Sequence, residues 1–116
     1  MDRDSRSYLW DMREAADAIV GFTAGMESSG FAESALVRAA VERKFEIIGE
    51  ALSQLSKRDP ALARRVPDFR DIISFRNLLI HGYTVVNQDE VWNVVQTSLP
   101  RLRAAIGDLL EELGPP

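Results

Sequence analysis

Residues 75–83 read FRNLLIHGY, and three side chains in this stretch could do chemistry together: Arg76, His81 and Tyr83. His81 is the only histidine of the 116 residues. An imidazole titrates near about pH 6.5, so it can both accept and donate a proton under physiological conditions. A guanidinium stays charged and grips phosphate oxygens through a planar fork. Together the two groups suit cleavage of an RNA phosphodiester without a metal. The 2′-hydroxyl attacks the adjacent phosphate, the histidine moves a proton, and the arginine stabilises the charge that builds on the phosphate.

The spacing alone does not make a catalytic pair. Five helical steps turn the chain through about 500°, which leaves the Arg76 and His81 side chains about 140° apart. They share a face only if His81 lies beyond the regular helix, where Gly82 turns the chain. Otherwise a second copy of the segment, in a dimer, would have to complete the site. A purely structural reading also stands. In it Arg76 forms a salt bridge with Asp71 or Asp108, His81 is a helix-end histidine favoured by the helix dipole, and Tyr83 is a half-buried aromatic.

Other chemistries find less support. The chain has no cysteine and one histidine, which argues against a structural zinc site, and no metal or cofactor is expected. No HExxH, P-loop, GxGxxG or GxSxG pattern occurs. Glu42, Glu46 and Glu50 recur at four-residue steps and read as a solvated row paired with Arg38 and Arg43. Ser28, Ser29, Ser53 and Ser56 have no histidine nearby in sequence.

The elements that must position these groups read as helices. Apolar residues make up 46% and charged residues 28% of the chain, a balance that fits one soluble domain over residues 1–116. Apolar runs are too short to span a bilayer and the N-terminus lacks a signal-peptide pattern, so a cytoplasmic protein is expected. The net charge of −4 excludes a globally basic nucleic-acid binder. The charge is unevenly spread, however: residues 34–76 carry nine basic against six acidic side chains, while both flanking regions are acidic. That basic middle, which includes Arg64, Arg65 and Arg70, reads first as a solvated helix surface and alternatively as a contact for an anionic ligand.

A first segment, from about Ser5 to Met26, places Leu9, Met12, Ala16, Ile19 and Val20, then Phe22, on one face. SSGF at 28–31 reads as a loop. A second segment, from about Ala32 to Lys57, has the most regular stripe: Val37, Val41, Phe45, Ile48, Leu52 and Leu55. Leu36, Ala40, Ile47 and Ala51 widen it, as expected of a central helix, and Gly49 lets a neighbouring helix come close. ALARRV, between Pro60 and Pro67, is a single turn or a loop. A third helix starts near Asp68, carries Phe69, Ile72, Ile73, Arg76 and Ile80 on one face, and ends at Gly82, where glycine tolerates a left-handed conformation. A fourth opens with Asn87 as cap and Glu90 as its capping-box partner, and Pro100 predicts a kink or break near Ser98. The architecture expected is all-α, four or five antiparallel helices around one core.

RNLLIHGY also fits the pattern R-x4-H-x-Y, and it resembles the HepT-like toxins of the HEPN superfamily. ERKFEIIGEAL is similar to that family's "igEa" helix. PDFRDIISFRNLLIHGY, followed by VW, resembles the stretch around its active site. The resemblance covers nearly the whole chain. It implies an up-and-down HEPN bundle, a homodimer with the motif helices near the interface, and a metal-independent endoribonuclease that acts as the toxin of a toxin–antitoxin pair. The implied partner is a minimal nucleotidyltransferase antitoxin that transfers AMP to the motif tyrosine. Carried over by position, Arg76 and His81 are the catalytic candidates, Tyr83 the modification site and Asn77 a supporting residue. An AMP on Tyr83 would put bulk and negative charge beside a cleft that must admit RNA. A dimer would gather Arg70, Arg76 and Arg64 or Arg65 from two chains around one cleft. The alternative is a non-catalytic helical module that binds a nucleotidyltransferase and presents Tyr83 to it.

Overall fold

Asp4 starts the first helix: its carboxylate accepts the Arg6 amide at 2.9 Å and pairs with the Arg6 guanidinium. Those hydrogen bonds hold the Asp4 carboxyl down to about 2. Helix α1 (Ser5–Thr23) buries Leu9, Met12, Ala15, Ala16 and Ile19, but Val20 and Phe22, expected on the same face, are exposed, Val20 because it lies one helical step, about 100°, from Ile19. It stops at Thr23, short of Met26, and the chain turns through Gly25 at φ 75°. The computed structural model describes residues 4–114.

The SSGF stretch is not a loop. It opens a short helix, α2 (Ser28–Glu33), whose Phe31 is buried and meets the Trp92 ring at a centroid distance of 5.2 Å. Serine and glycine are poor helix formers, and here burial of one aromatic outweighs their preference. Helix α3 (Ala35–Arg58) follows, with the Ser34 hydroxyl accepting the Val37 amide at 3.2 Å. Its stripe points inward as expected: Val41, Phe45, Ile48, Leu52 and Leu55 are buried. The second face is partial, because Ala51 is buried while Leu36 is 81% exposed.

Asp59 caps the single turn α4 (Pro60–Ala63), its carboxylate accepting the Leu62 amide at 3.2 Å. Helix α5 (Phe69–His81) begins after Asp68, which has φ 60° and gives no side-chain cap. The Asp68 carboxylate instead receives Arg101 at 2.5 Å. A 3₁₀ turn (Tyr83–Val85) leads to α6 (Gln88–Gln96), where the Asn87 side chain accepts the Asp89 amide at 2.8 Å. Thr97 then breaks the chain before α7 (Ser98–Leu113). Pro100 therefore falls in the first turn of a new helix, where its missing amide costs nothing.

The result is an all-α bundle, with seven helices and no strand among the described residues. The four or five expected helices are the long ones, the last expected segment being split into α6 and α7. α3 lies at the centre, packed against α1 on one side and α5 on another, while α7 packs against α1 and α6. α5 is the outlier, with Leu79 as its one buried residue. Between α5 and the α6–α7 pair lies an apolar cleft of about 260 Å³, floored by Phe45 and Ile48 of α3.

Candidate active site

Arg76 sits where α5 crosses α3, and the crossing is close because position 49 is glycine. A side-chain carbon on Gly49 would collide with the Cβ of Arg76 and stand 2.7 Å from its Cγ. The aliphatic stem of Arg76 is thus wedged against bare α3 backbone. Its head has two partners. Nη2 donates to Glu50 Oε2, and Nη1 donates to Asn77 Oδ1 at 2.8 Å. Glu50 is held in turn by Gln54, whose amide donates to Oε1 at 3.1 Å. Nε of Arg76 is buried without a hydrogen-bond partner among the described residues.

The guanidinium faces a groove of about 370 Å³ between α1 and α5, floored by α3. Tyr8 and Asp11 form one wall, Arg43, Glu46, Glu50 and Gln54 the floor, and Arg76 and Ile80 the other wall. Arg76 retains 24% side-chain exposure there. The salt bridge expected with Asp71 or Asp108 is replaced by one with Glu50. The glutamate row is accordingly more than a solvated face. Arg43 pairs with Glu46 at 3.5 Å, Glu50 is committed to Arg76, and burial pushes the Glu42 carboxyl up. Arg38 donates to the Ala32 carbonyl.

His81 is exposed and is the last residue of α5. It therefore lies within the helix, and the angular separation from Arg76 applies. Ile80, four residues after Arg76, lines the groove, whereas His81, five residues after, does not. One chain carries both groups on one helix but does not bring them to one face. Gly82 ends the helix with φ −112°, outside the left-handed region, its amide donating to Leu78 O at 2.7 Å. The space beside Gly82 is tight: a Cβ would lie 2.8 Å from Leu78 Cδ1, the far end of a flexible side chain, and 3.1 Å from Leu78 O. Tyr83 opens the 3₁₀ turn, and its side chain lies outside the described residues.

The remaining candidates are dispersed. Asn77 is exposed and orients Arg76. Arg65 is engaged by Glu112 in a bidentate pair at 3.0 and 2.6 Å. Arg64 is exposed after α4, and Arg70 lies over the Phe69 ring at 5.6 Å, near the opposite end of α5 from His81. Sequence reasoning missed Glu50 and Gln54. The available signal was a carboxylate immediately after the glycine that admits the neighbouring helix. Among the described residues no group of three or more His, Cys, Asp or Glu is placed to hold a metal ion, and no helix is long and apolar enough to cross a membrane.

The family model described as Ribonuclease HepT-like matches residues 12–109. The chain belongs to the HepT-like ribonuclease family. Among relatives of this HepT-like chain, "Putative RNase MJ1380" of Methanocaldococcus jannaschii is 29% identical over 90% of the chain and 94% of that protein. "Putative RNase MJ1216" of the same organism is 29% identical over 96% of the chain and 91% of that protein. "Probable ribonuclease HepT" of Thermococcus cleftensis is 32% identical over 89% of the chain and 93% of that protein. No solved structure matches the HepT-like chain.

Proposed function

We propose that this protein is a metal-independent endoribonuclease that acts as the toxin of a toxin–antitoxin pair, with Arg76 and His81 as its catalytic residues. The observation that carries the proposal is the clamped Arg76 guanidinium, open to a groove, on the same helix as the exposed His81. Membership of the HepT-like ribonuclease family supports RNA as the substrate. His81 takes the proton of the 2′-hydroxyl as that oxygen attacks phosphorus. The phosphorus–O5′ bond breaks, a proton passes to the leaving oxygen, and the products are a 2′,3′-cyclic phosphate and a 5′-hydroxyl. Arg76 stabilises the charge on the non-bridging oxygens.

Because Arg76 and His81 diverge on one helix, the working site is composite, with Arg76 from one copy and His81 from a second. The thinly buried α5 supports a homodimer through this helix, since Ile80 is 37% exposed and Val85, in the following turn, 69%. The antitoxin is a nucleotidyltransferase that adds AMP to Tyr83 and blocks the cleft by bulk and charge. One observation favours a second reading, a non-catalytic module that presents Tyr83 to that enzyme: the Glu50 carboxylate already pairs with the Arg76 charge.

The test is cleavage of RNA in EDTA by the purified protein and by His81→Ala, with helicity and oligomeric state matched. Cleavage that resists EDTA and falls at least about a hundredfold in the variant supports the enzyme. Equal cleavage by both proteins removes His81 from the mechanism, and no cleavage by the wild type favours the module.

A further inference from the structure

We infer that Glu50 is a positioning residue for Arg76, acting from the neighbouring helix to fix the guanidinium that meets the scissile phosphate. The inference rests on the ribonuclease reading above. The Arg76 stem is fixed at Gly49, which leaves the terminal torsions to decide where the head points. Glu50 holds Nη2 from α3 and Asn77 holds Nη1 from α5, so the head is gripped from two helices. Gln54, one turn along α3, occupies the other Glu50 oxygen and keeps the carboxylate from swinging away.

The hydrogen-bond inventory then limits how a phosphate can bind. A guanidinium has five N–H donors. Nε is enclosed, and one donor on each terminal nitrogen is in use. What remains is one N–H on Nη1 and one on Nη2. The Nε side of the fork is closed, so phosphate is met only through the terminal nitrogens. Glu50 has a second effect of opposite sign on binding, because its negative charge stands beside the site where the phosphate must arrive.

Two substitutions separate position from charge. Glu50→Gln keeps an oxygen that can accept from Nη2 but removes the charge. Glu50→Ala removes both. Steady-state cleavage of a short RNA should give Glu50→Gln a kcat within about threefold of wild type, a KM lowered severalfold and a steeper dependence on salt. Glu50→Ala should lose about tenfold or more in kcat without a higher KM, because a misplaced donor costs rate rather than affinity. Melting temperatures and active-site titration accompany each rate, so that the rates refer to folded enzyme. An unchanged kcat in Glu50→Ala overturns the inference while the ribonuclease reading stands. Equal kcat losses in both variants also overturn it, since they would require the charge itself. If the wild type and Arg76→Ala are equally inert, the ribonuclease reading fails and the inference falls with it.

Discussion

Arg76 illustrates how a charged side chain can be half-buried and still open to a groove. Its stem fills the space that a side chain at position 49 would need, and its head exchanges hydration for two hydrogen bonds. The enclosed Nε is a cost of about 1–3 kcal/mol by the usual measure of an unsatisfied buried donor. Glu42, two turns before Glu50 on α3, shows the reverse case. Burial raises its carboxyl above the ordinary glutamate range, with Arg38 opposing the effect and Glu46 adding to it. A group with a raised folded value contributes stability below its unfolded value, and loses it as pH rises through the folded value. At neutral pH the ionised Glu42 is therefore a burden. Glu42→Gln should raise the melting temperature at about pH 7, and thermal unfolding should show the gain vanish below about pH 4. A gain that persists in acid would point to packing rather than charge.

Among the helices, the α3–α5 crossing is the one that positions the proposed catalytic Arg76. Gly49→Ala should remove backbone freedom from the unfolded chain, a gain of about 0.5–1 kcal/mol in a helix interior. It must also push α5 away, because the new methyl group meets Arg76 Cβ and Cγ rather than the far end of a flexible side chain. Overpacking of this kind costs about 1–3 kcal/mol, so the net effect should be destabilising in urea unfolding. RNA cleavage should fall further than stability does, since the guanidinium moves with the helix.

The same elements show what the sequence made legible. The α3 stripe could be read because its period is local and its burial follows from that period alone. The break before α7 could be read because Pro100 cannot donate an amide wherever it stands. α2 could not, since its composition is that of a loop and only the distant Trp92 gives Phe31 a reason to be buried. Gly82 stands at the helix end as expected, but its φ is negative, so the left-handed conformation that motivated the expectation is absent. Arg76 and His81 were legible as chemistry, but the Arg76–Glu50 pair was not, because residues 26 apart in sequence meet only through the crossing.

For the whole molecule, the proposed composite site makes a quantitative prediction. Arg76→Ala and His81→Ala each abolish both sites of a homodimer. When the two variants are mixed one to one and allowed to exchange, about half the dimers are mixed, and each holds one fully intact site. Activity should recover to about a quarter of wild type. Two sites each built within one chain would give no recovery, because every copy of the site would lack one group. In the proposed dimer, the acidic net charge and the pairing of Arg65 with Glu112 leave RNA binding to local features of the cleft.

The segment IGEAL on α3 brings these scales together. Ile48 is in the core, Gly49 meets the arginine stem, Glu50 holds the arginine head, and Ala51 and Leu52 are buried again. Five consecutive positions of a helix are thus committed to other parts of the protein, and none is left as a neutral solvent face. Such a stretch has little room for drift: a change that suits the core disturbs the cleft, and one that suits the cleft disturbs the core. If Arg76 is catalytic as proposed, the demands of folding and of catalysis fall on the same five residues, so the mutational tolerance of this protein should be lowest there, on a helix that carries neither Arg76 nor His81.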